Sequence, residues 1–296
     1  MNSLAYPPDL DRWRAAARIS AKARELGISL AVPGASRRAI ADRVEGFIRS
    51  QGAEPAFPAN LSRNVEAAHY TPSREDEEVL QAGDLLKVDV GAHLDGAIAD
   101  TAATVEVGGG QKFATLRRAV EEALRAGIAQ VQPGVSVDRI GSAVEAAAHR
   151  YGLKPIRDLS GHTIQRYLLH AGKSIPNVGG LSTVTLEEGE VVAIEPFVTN
   201  GAGRIANGPF GNIQRFREDP GPSDPRLAAL FARFRTLPFT LRWVDDEEDR
   251  KRLRRARRWL QTYPVFEEAG GGVVAQMEHT VLVGPQGAEL LTALTD

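Results

Sequence analysis

Two aspartates stand where charge is expensive. The stretch KVDVGAHLDGAIADTA, residues 87–102, otherwise reads as buried β-structure, yet it carries Asp89 and Asp100. Asp95-Gly96 is a two-residue hairpin signal between β-like runs at 85–92 and 97–105. With those residues as the loop, Leu94 pairs with Ala97, Gly91 faces Asp100 and Asp89 faces Ala102. The two carboxylates then share one face as diagonal neighbours, about 7–8 Å apart at Cβ. Gly91, opposite Asp100, leaves the space beside them open. Buried so close together, carboxylates repel and lose hydration, so a metal, a cationic side chain or a shared proton must compensate. The other reading of these two residues taken alone is that Asp89 ends a strand and Asp100 stands at an exposed rim.

Further carboxylates interrupt apolar runs in the same way. Glu195 ends the run EVVAIEPF, and Glu278 breaks the alternation of VVAQMEHTVLV. Of the six histidines, His69, His162 and His170 sit in motif-like blocks and His149 on a helical segment. His93 and His279 adjoin the acidic positions but point to the opposite sheet face by strand alternation. The chain has no cysteine, which excludes disulfides, thiolate zinc sites and cysteine nucleophiles and leaves oxygen and imidazole as metal ligands. A net charge of −2 argues against a bulk nucleic-acid or anionic-membrane binder. The first residues have charges throughout and no apolar core like that of a signal peptide, and no run approaches the roughly 18 apolar residues of a membrane span. A cytoplasmic protein is expected.

The elements that must position these residues are repeated. Residues 9–31 and 112–131 are amphipathic at helical spacing, and each is followed by a similar segment: PGASRRAIADRVEGFIRSQGAEP from Pro33 and PGVSVDRIGSAVEAAAHRYGLKP from Pro133. At this offset of one hundred residues Gly27/Gly127, Pro33/Pro133, Ser36/Ser136, Ile40/Ile140, Val44/Val144, Glu45/Glu145 and Gly52/Gly152 are identical. Ser36 and Ser136 are placed to cap the second helix of each pair. With a small shift, GDLLKVD (83–89) parallels GEVVAIE (189–195), so Asp89 and Glu195 occupy matching places. An internal duplication follows, giving an α+β domain with pseudo-two-fold symmetry, helices covering one face of an antiparallel sheet and a cleft on the other. Residues 210–264 differ in texture and read as a small, largely helical insertion. Its Arg-rich stretch 250–258 is read as a solvated helix face offset by the acidic run 245–249, nucleic-acid contact being the other reading.

These blocks resemble the pita-bread metallopeptidases, and within them the type II methionine aminopeptidases of archaeal type. The resemblance is carried by AFPANLSRNVEAAHYTP (56–72), GDLLKVDVGAHLDGAIADTAATV (83–105), LSGHTIQRYLLHAGKSIPN (159–177), EEGEVVAIEPFVTNGAG (187–203), TLPFTLRWV (236–244) and VVAQMEHTVLV (273–283), in family order. It implies a curved antiparallel sheet covered by two helix pairs, with residues 1–209 and 265–296 forming the catalytic domain and 210–264 a winged-helix-like insertion. It implies two divalent ions, cobalt, manganese, iron or zinc, held by Asp89, Asp100, His162, Glu195 and Glu278, with Asp100 and Glu278 bridging. Glu195 would act as general base toward an activated water, His170 would hydrogen-bond the scissile carbonyl, and His69 would contact the substrate's backbone nitrogen. Phe57, Leu169, Tyr263 and His170 would surround a methionine side chain. The implied activity is removal of the N-terminal initiator methionine from nascent proteins whose second residue is small. The implied setting is that of a monomer, with the ribosome as a compatible partner and no nucleic-acid or membrane partner. The chain departs from the family pattern at Met277, where an aromatic is common, at Ala97, where tyrosine is frequent, and over 205–225. The rivals are an Xaa-Pro aminopeptidase or prolidase, which usually carries an additional N-terminal domain, and a non-catalytic binding paralogue, which typically loses ligands.

Overall fold

Small side chains set how closely the helices approach the sheet. In the computed structural model, which describes residues 6–294, helix α1 (Leu10–Leu30) buries Ala16, Ala17, Ser20, Ala21, Ala23 and Gly27. A Cβ on Gly27 would come within 2.6 Å of Val88 Cγ1. Helix α2 (Arg37–Ser50) starts where the Ser36 side chain accepts the Ala39 amide. The second copy repeats the arrangement. Helices α3 (Ala114–Ile128) and α4 (Val137–His149) pack together, Ser136 accepts the Asp138 amide, and a Cβ on Gly127 would meet Val144 at 3.0 Å and Ile194 at 3.3 Å. Backbone bonds repeat as well: Gly34 donates to Leu80 and Gly134 to Leu186, both at 2.8 Å. Of the catalytic domain that the resemblance implies, residues 1–5 and 295–296 lie outside the described residues.

The helix pairs cover a nine-stranded antiparallel sheet. Its main path runs Glu54–Pro55, Leu85–Leu94, Ala97–Glu106, Glu278–Gly284, Val191–Ile194, Ser160–Ile164 and Ser174–Pro176. Asn60–Arg63 joins alongside Leu85–Leu94, and Gly287–Leu290 alongside Glu278–Gly284. This is the antiparallel sheet under paired helices expected from the duplication, and the pita-bread architecture that the resemblance implies. The central hairpin has the register counted from Asp95-Gly96, with Leu94 on Ala97, Gly91 on Asp100 and Asp89 on Ala102. Positive φ at Asp95 (50°) and Gly96 (82°) suits the tight turn. One expectation is corrected: the space at Gly91 is filled. The Phe57 ring lies there, and a Cβ on Gly91 would stand 2.4 Å from Phe57 Cε1, so the glycine admits an aromatic wall.

The inserted region grows from a long antiparallel ribbon, Ile205–Phe216 with Leu260–Glu268, to which the short strand Glu66–Ala68 adds. Between the ribbon's strands lie α5 (Pro225–Phe234), capped by Asp224, and α6 (Glu247–Arg255), capped by Asp246. Phe216, Phe234, Phe239, Leu253 and Leu260 form a separate small core. This unit is clamped to the first half through buried Glu45, which accepts both Arg242 terminal nitrogens at 2.7 Å and Trp243 Nε1 at 2.6 Å. Among the described residues no helix is long and apolar enough to cross a membrane.

Candidate metal centre and substrate cleft

Central strands of both halves bring the acidic residues together. Asp89 lies on Leu85–Leu94, Asp100 on Ala97–Glu106 and His162 on Ser160–Ile164, while Glu278 opens its strand and Glu195 follows Val191–Ile194. Cross-strand register sets Glu278 and Asp89 on either side of Ala102, and His162 opposite Ala193. His162 Nε2 is 3.7 Å from Asp100 Oδ2 and 3.4 Å from Glu195 Oε1. Ligand atoms of Asp100, His162 and Glu278 all lie within 4.8 Å of one another. Neighbours orient the acids: Asn60 and Gln276 amides donate to Asp89 Oδ2 at 3.5 and 3.4 Å. The Thr280 hydroxyl accepts the Asp100 amide and donates to the Asp100 carbonyl, each at 2.7 Å.

This cluster has too much negative charge for its surroundings. Burial pushes Asp89 up to about 7. Burial first, and repulsion among the acids second, also hold Asp100, Glu195 and Glu278 well above the usual carboxylate range. His162 is shifted well down by burial, then by His170, and so is neutral. Oδ1 of Asp89, Oδ1 of Asp100 and Oε1 of Glu278 are buried without a hydrogen-bond partner. Among the described residues the only ion-pair contacts of the five are those to His162 itself. Unpartnered oxygens converging beside a neutral imidazole are the donor set of a borderline-hard divalent ion, and the residues present fit one.

Above the acids opens a cavity of about 210 Å³. Phe57, Leu169, Phe197, Ile213, Pro238 and Tyr263 give it apolar walls, and His69 and His170 enter from the sides. His69 holds a positive φ of 68°, and its ring meets Tyr263 edge-on at 5.2 Å and lies 4.9 Å from Phe266. Such a backbone in a non-glycine residue is costly and is retained where the surroundings over-determine it. Burial lowers His69 to about 4, with His170 adding to the effect, and its Nδ1 has no partner. His170 is solvent-exposed where it lines the cavity, and its ring lies 4.4 Å from the His162 ring. Loss of water and the charge of Arg215 shift it down to about 4.

The residues anticipated from sequence thus meet at one place. Phe57, His69, Asp89, Asp100, His162, Leu169, His170, Glu195 and Tyr263 border the cavity, and Glu278, which does not line it, has a carboxylate oxygen within 4.8 Å of ligand atoms of Asp100 and His162. Asn60, Gln276, Phe197, Ile213 and Pro238 also surround the site and carry no local signal of it in the sequence. Asn60 is recognisable only once its strand is set opposite Asp89, and Pro238 only once the insertion folds back over the cleft.

A central cluster of acids and one imidazole in a duplicated sheet is a metal-dependent hydrolase arrangement, and the comparisons agree. The sequence profile of metallopeptidase family M24 matches residues 11–285, and the chain belongs to that family. It is 43% identical over 286 residues to the methionine aminopeptidase of Pyrococcus horikoshii, covering 93% of this chain and 96% of that protein. The crystal structure of methionine aminopeptidase from Thermotoga maritima superposes with a TM-score of 0.73 at 25% identity, covering 99% of this chain and 100% of that one. A thermophilic Arx1 structure superposes with a TM-score of 0.86 at 21% identity over 99% of this chain and 92% of that one, a likeness of fold.

Proposed function

We propose that this chain is an aminopeptidase that hydrolyses the first peptide bond of polypeptides beginning with methionine, releasing the methionine when the second residue is small. The observation that carries the reading is the buried set Asp89, Asp100, His162, Glu195 and Glu278, with unpartnered oxygens, at the floor of an apolar cleft. Family membership and the methionine aminopeptidase activity of the similar relatives support it. Those five residues would hold two divalent ions, cobalt, manganese, iron or zinc, in a domain formed by residues 1–209 and 265–296, with 210–264 as a winged-helix-like insertion. Bound divalent ions would supply Lewis acidity, neutralising the carboxylates and lowering the pKa of water.

The chain's own residues do the rest. The methionine side chain enters between Phe57, Leu169 and Tyr263, which exclude water and grip an unbranched thioether. Glu195 takes a proton from the attacking water and passes it to the departing amine. His170, neutral at neutral pH, donates a hydrogen bond to the scissile carbonyl oxygen as negative charge develops there. His69 contacts the substrate's backbone nitrogen and holds the bond in line. Nascent chains are the natural source of such termini, and with that substrate we infer a cytoplasmic enzyme, acting as a monomer near the ribosome.

The test is methionine release from Met-Ala and Met-Val peptides beside Xaa-Pro peptides, after chelation and after stepwise return of each metal. Release from Met-Ala restored by metal, with calorimetry counting two ions, is expected. Hydrolysis of Xaa-Pro alone would reassign the chain to the prolidase-type enzymes. Absence of any metal-restored hydrolysis would make it a binding paralogue.

A further inference from the structure

Tyr167 has no part in the chemistry above, yet it ties together three segments that border the cleft. Its amide donates to the Gly96 carbonyl at 3.0 Å and its hydroxyl to Asp95 at 2.8 Å, both at the tip of the hairpin that carries Asp89 and Asp100. Its carbonyl accepts the Thr236 hydroxyl at 2.6 Å, and the Arg235 guanidinium lies 4.5 Å over its ring, both from the inserted region. Two and three residues on in its own loop come Leu169 and His170, which form one wall of the cavity. Two residues beyond Thr236 comes Pro238, which forms another. Leu237 packs into the same apolar cluster as Leu169 and Phe57, with Tyr167 against it.

The backbone at this junction is held in unfavourable conformations. Tyr167 and Arg235 are non-glycine residues at positive φ, 58° and 53°, facing one another across the contact. Gly96 leaves no slack beneath, because a Cβ there would stand 2.3 Å from the tyrosine ring. A residue so fitted, with its side-chain hydroxyl and its backbone amide and carbonyl all engaged, fixes the distance between what it joins.

We propose that Tyr167 is a positioning residue that sets the width of the side-chain cavity, by holding the Leu169–His170 wall against the Pro238 wall, and thereby determines selectivity for an unbranched first residue. The inference rests on the aminopeptidase reading, and its test separates the two. Met-Ala-Ser and Leu-Ala-Ser tripeptides are compared on the metal-loaded full-length wild type, Tyr167→Ala, Tyr167→Phe and Thr236→Val. In Tyr167→Ala the Met-to-Leu ratio of kcat/KM should fall roughly tenfold, the lower end of what one misfitted methylene is worth in an apolar pocket. The fall should come mainly through KM, with divalent-ion affinity unchanged. Tyr167→Phe, which keeps the ring and the backbone bonds, should restore most of the ratio. Thr236→Val, which removes only one bond to Tyr167, should lower it several-fold, and it decides the matter if Tyr167→Ala does not fold. A folded Tyr167→Ala that slows both peptides equally with the ratio intact overturns the proposal. A wild type that cleaves neither tripeptide with any metal overturns the aminopeptidase reading itself.

Discussion

Glu45 and Glu145 occupy the same place in the two halves, and they have different neighbours. Each accepts a backbone amide from the segment after its helix pair, Ala59 for Glu45 at 3.1 Å and Gly179 for Glu145 at 3.0 Å. Only Glu45 is also gripped by Arg242 and Trp243 of the inserted region. The halves share what the backbone requires: the capped second helices, the glycines under the sheet and the paired turns. They differ where ligands and substrate are handled. The first half supplies two aspartates from one hairpin, and the second an imidazole and two glutamates, His162, Glu195 and Glu278, from three separate places in the sheet. A duplicated scaffold tolerates divergence at side chains that face the cleft, because those positions carry no helix-to-sheet packing.

The largest expected effect breaks the cleft's asymmetry at its acidic floor. Asp89→Asn should lower metal-restored methionine release more than about 100-fold, since groups outside the ligand shell already cost 10–100-fold when altered. Its stability should change in the opposite sense. Burial raises Asp89 in the folded chain to about 7, so the native state keeps a proton that the unfolded chain has lost, and this residue's contribution declines as pH rises toward 7. With chelator present, denaturation should find Asp89→Asn more stable than wild type above about pH 7. That lead should shrink away as pH falls into the ordinary aspartate range, and a lead that grew on acidification would contradict the assignment. His170→Ala should lower kcat by about 100- to 1,000-fold, the range for losing one oxyanion donor, with a thermal midpoint close to wild type.

Two comparisons sharpen the contrast between halves. Glu45→Gln leaves buried Arg242 with only the half-exposed Asp42 carboxylate, 2.6 Å from its Nη1, as a charged partner and should cost about 1–3 kcal/mol, seen as early proteolysis within 217–259. Glu145→Gln, whose carboxylate accepts an amide alone, should cost about 1 kcal/mol in denaturant unfolding. Gly27→Ala forces a methyl against Val88 and should destabilise by about 1–3 kcal/mol. Gly127→Ala, with 3.0 Å of room to Val144, should lie within about 1 kcal/mol of wild type, as the gain in helix propensity offsets the crowding. Equal effects at the two glycines would mean that the halves pack alike.

Much of this arrangement was readable beforehand. Asp95-Gly96 fixed the hairpin register, because a two-residue loop leaves one way to count outward. The serine caps and the shared glycines exposed the duplication, because caps and close helix packing demand particular residue types wherever they occur. The surroundings of those residues were not readable. Nothing adjacent to Phe57 says that its ring fills the space over Gly91, and nothing near Tyr167 says that it meets Thr236. The ribbon flanking the insertion was not apparent either, since Gly208, Pro209 and Gly211 interrupt the alternation that marks a strand.

The sequence by itself marked Asp89, Asp100, Glu195 and Glu278 as carboxylates that interrupt apolar runs, and fixed the hairpin that carries two of them, since a charge in an apolar run is legible locally. Only the tertiary structure decided how the cleft above them is walled. That outcome depends on contacts between segments far apart in the chain, where shape and distance, rather than local pattern, select the neighbours.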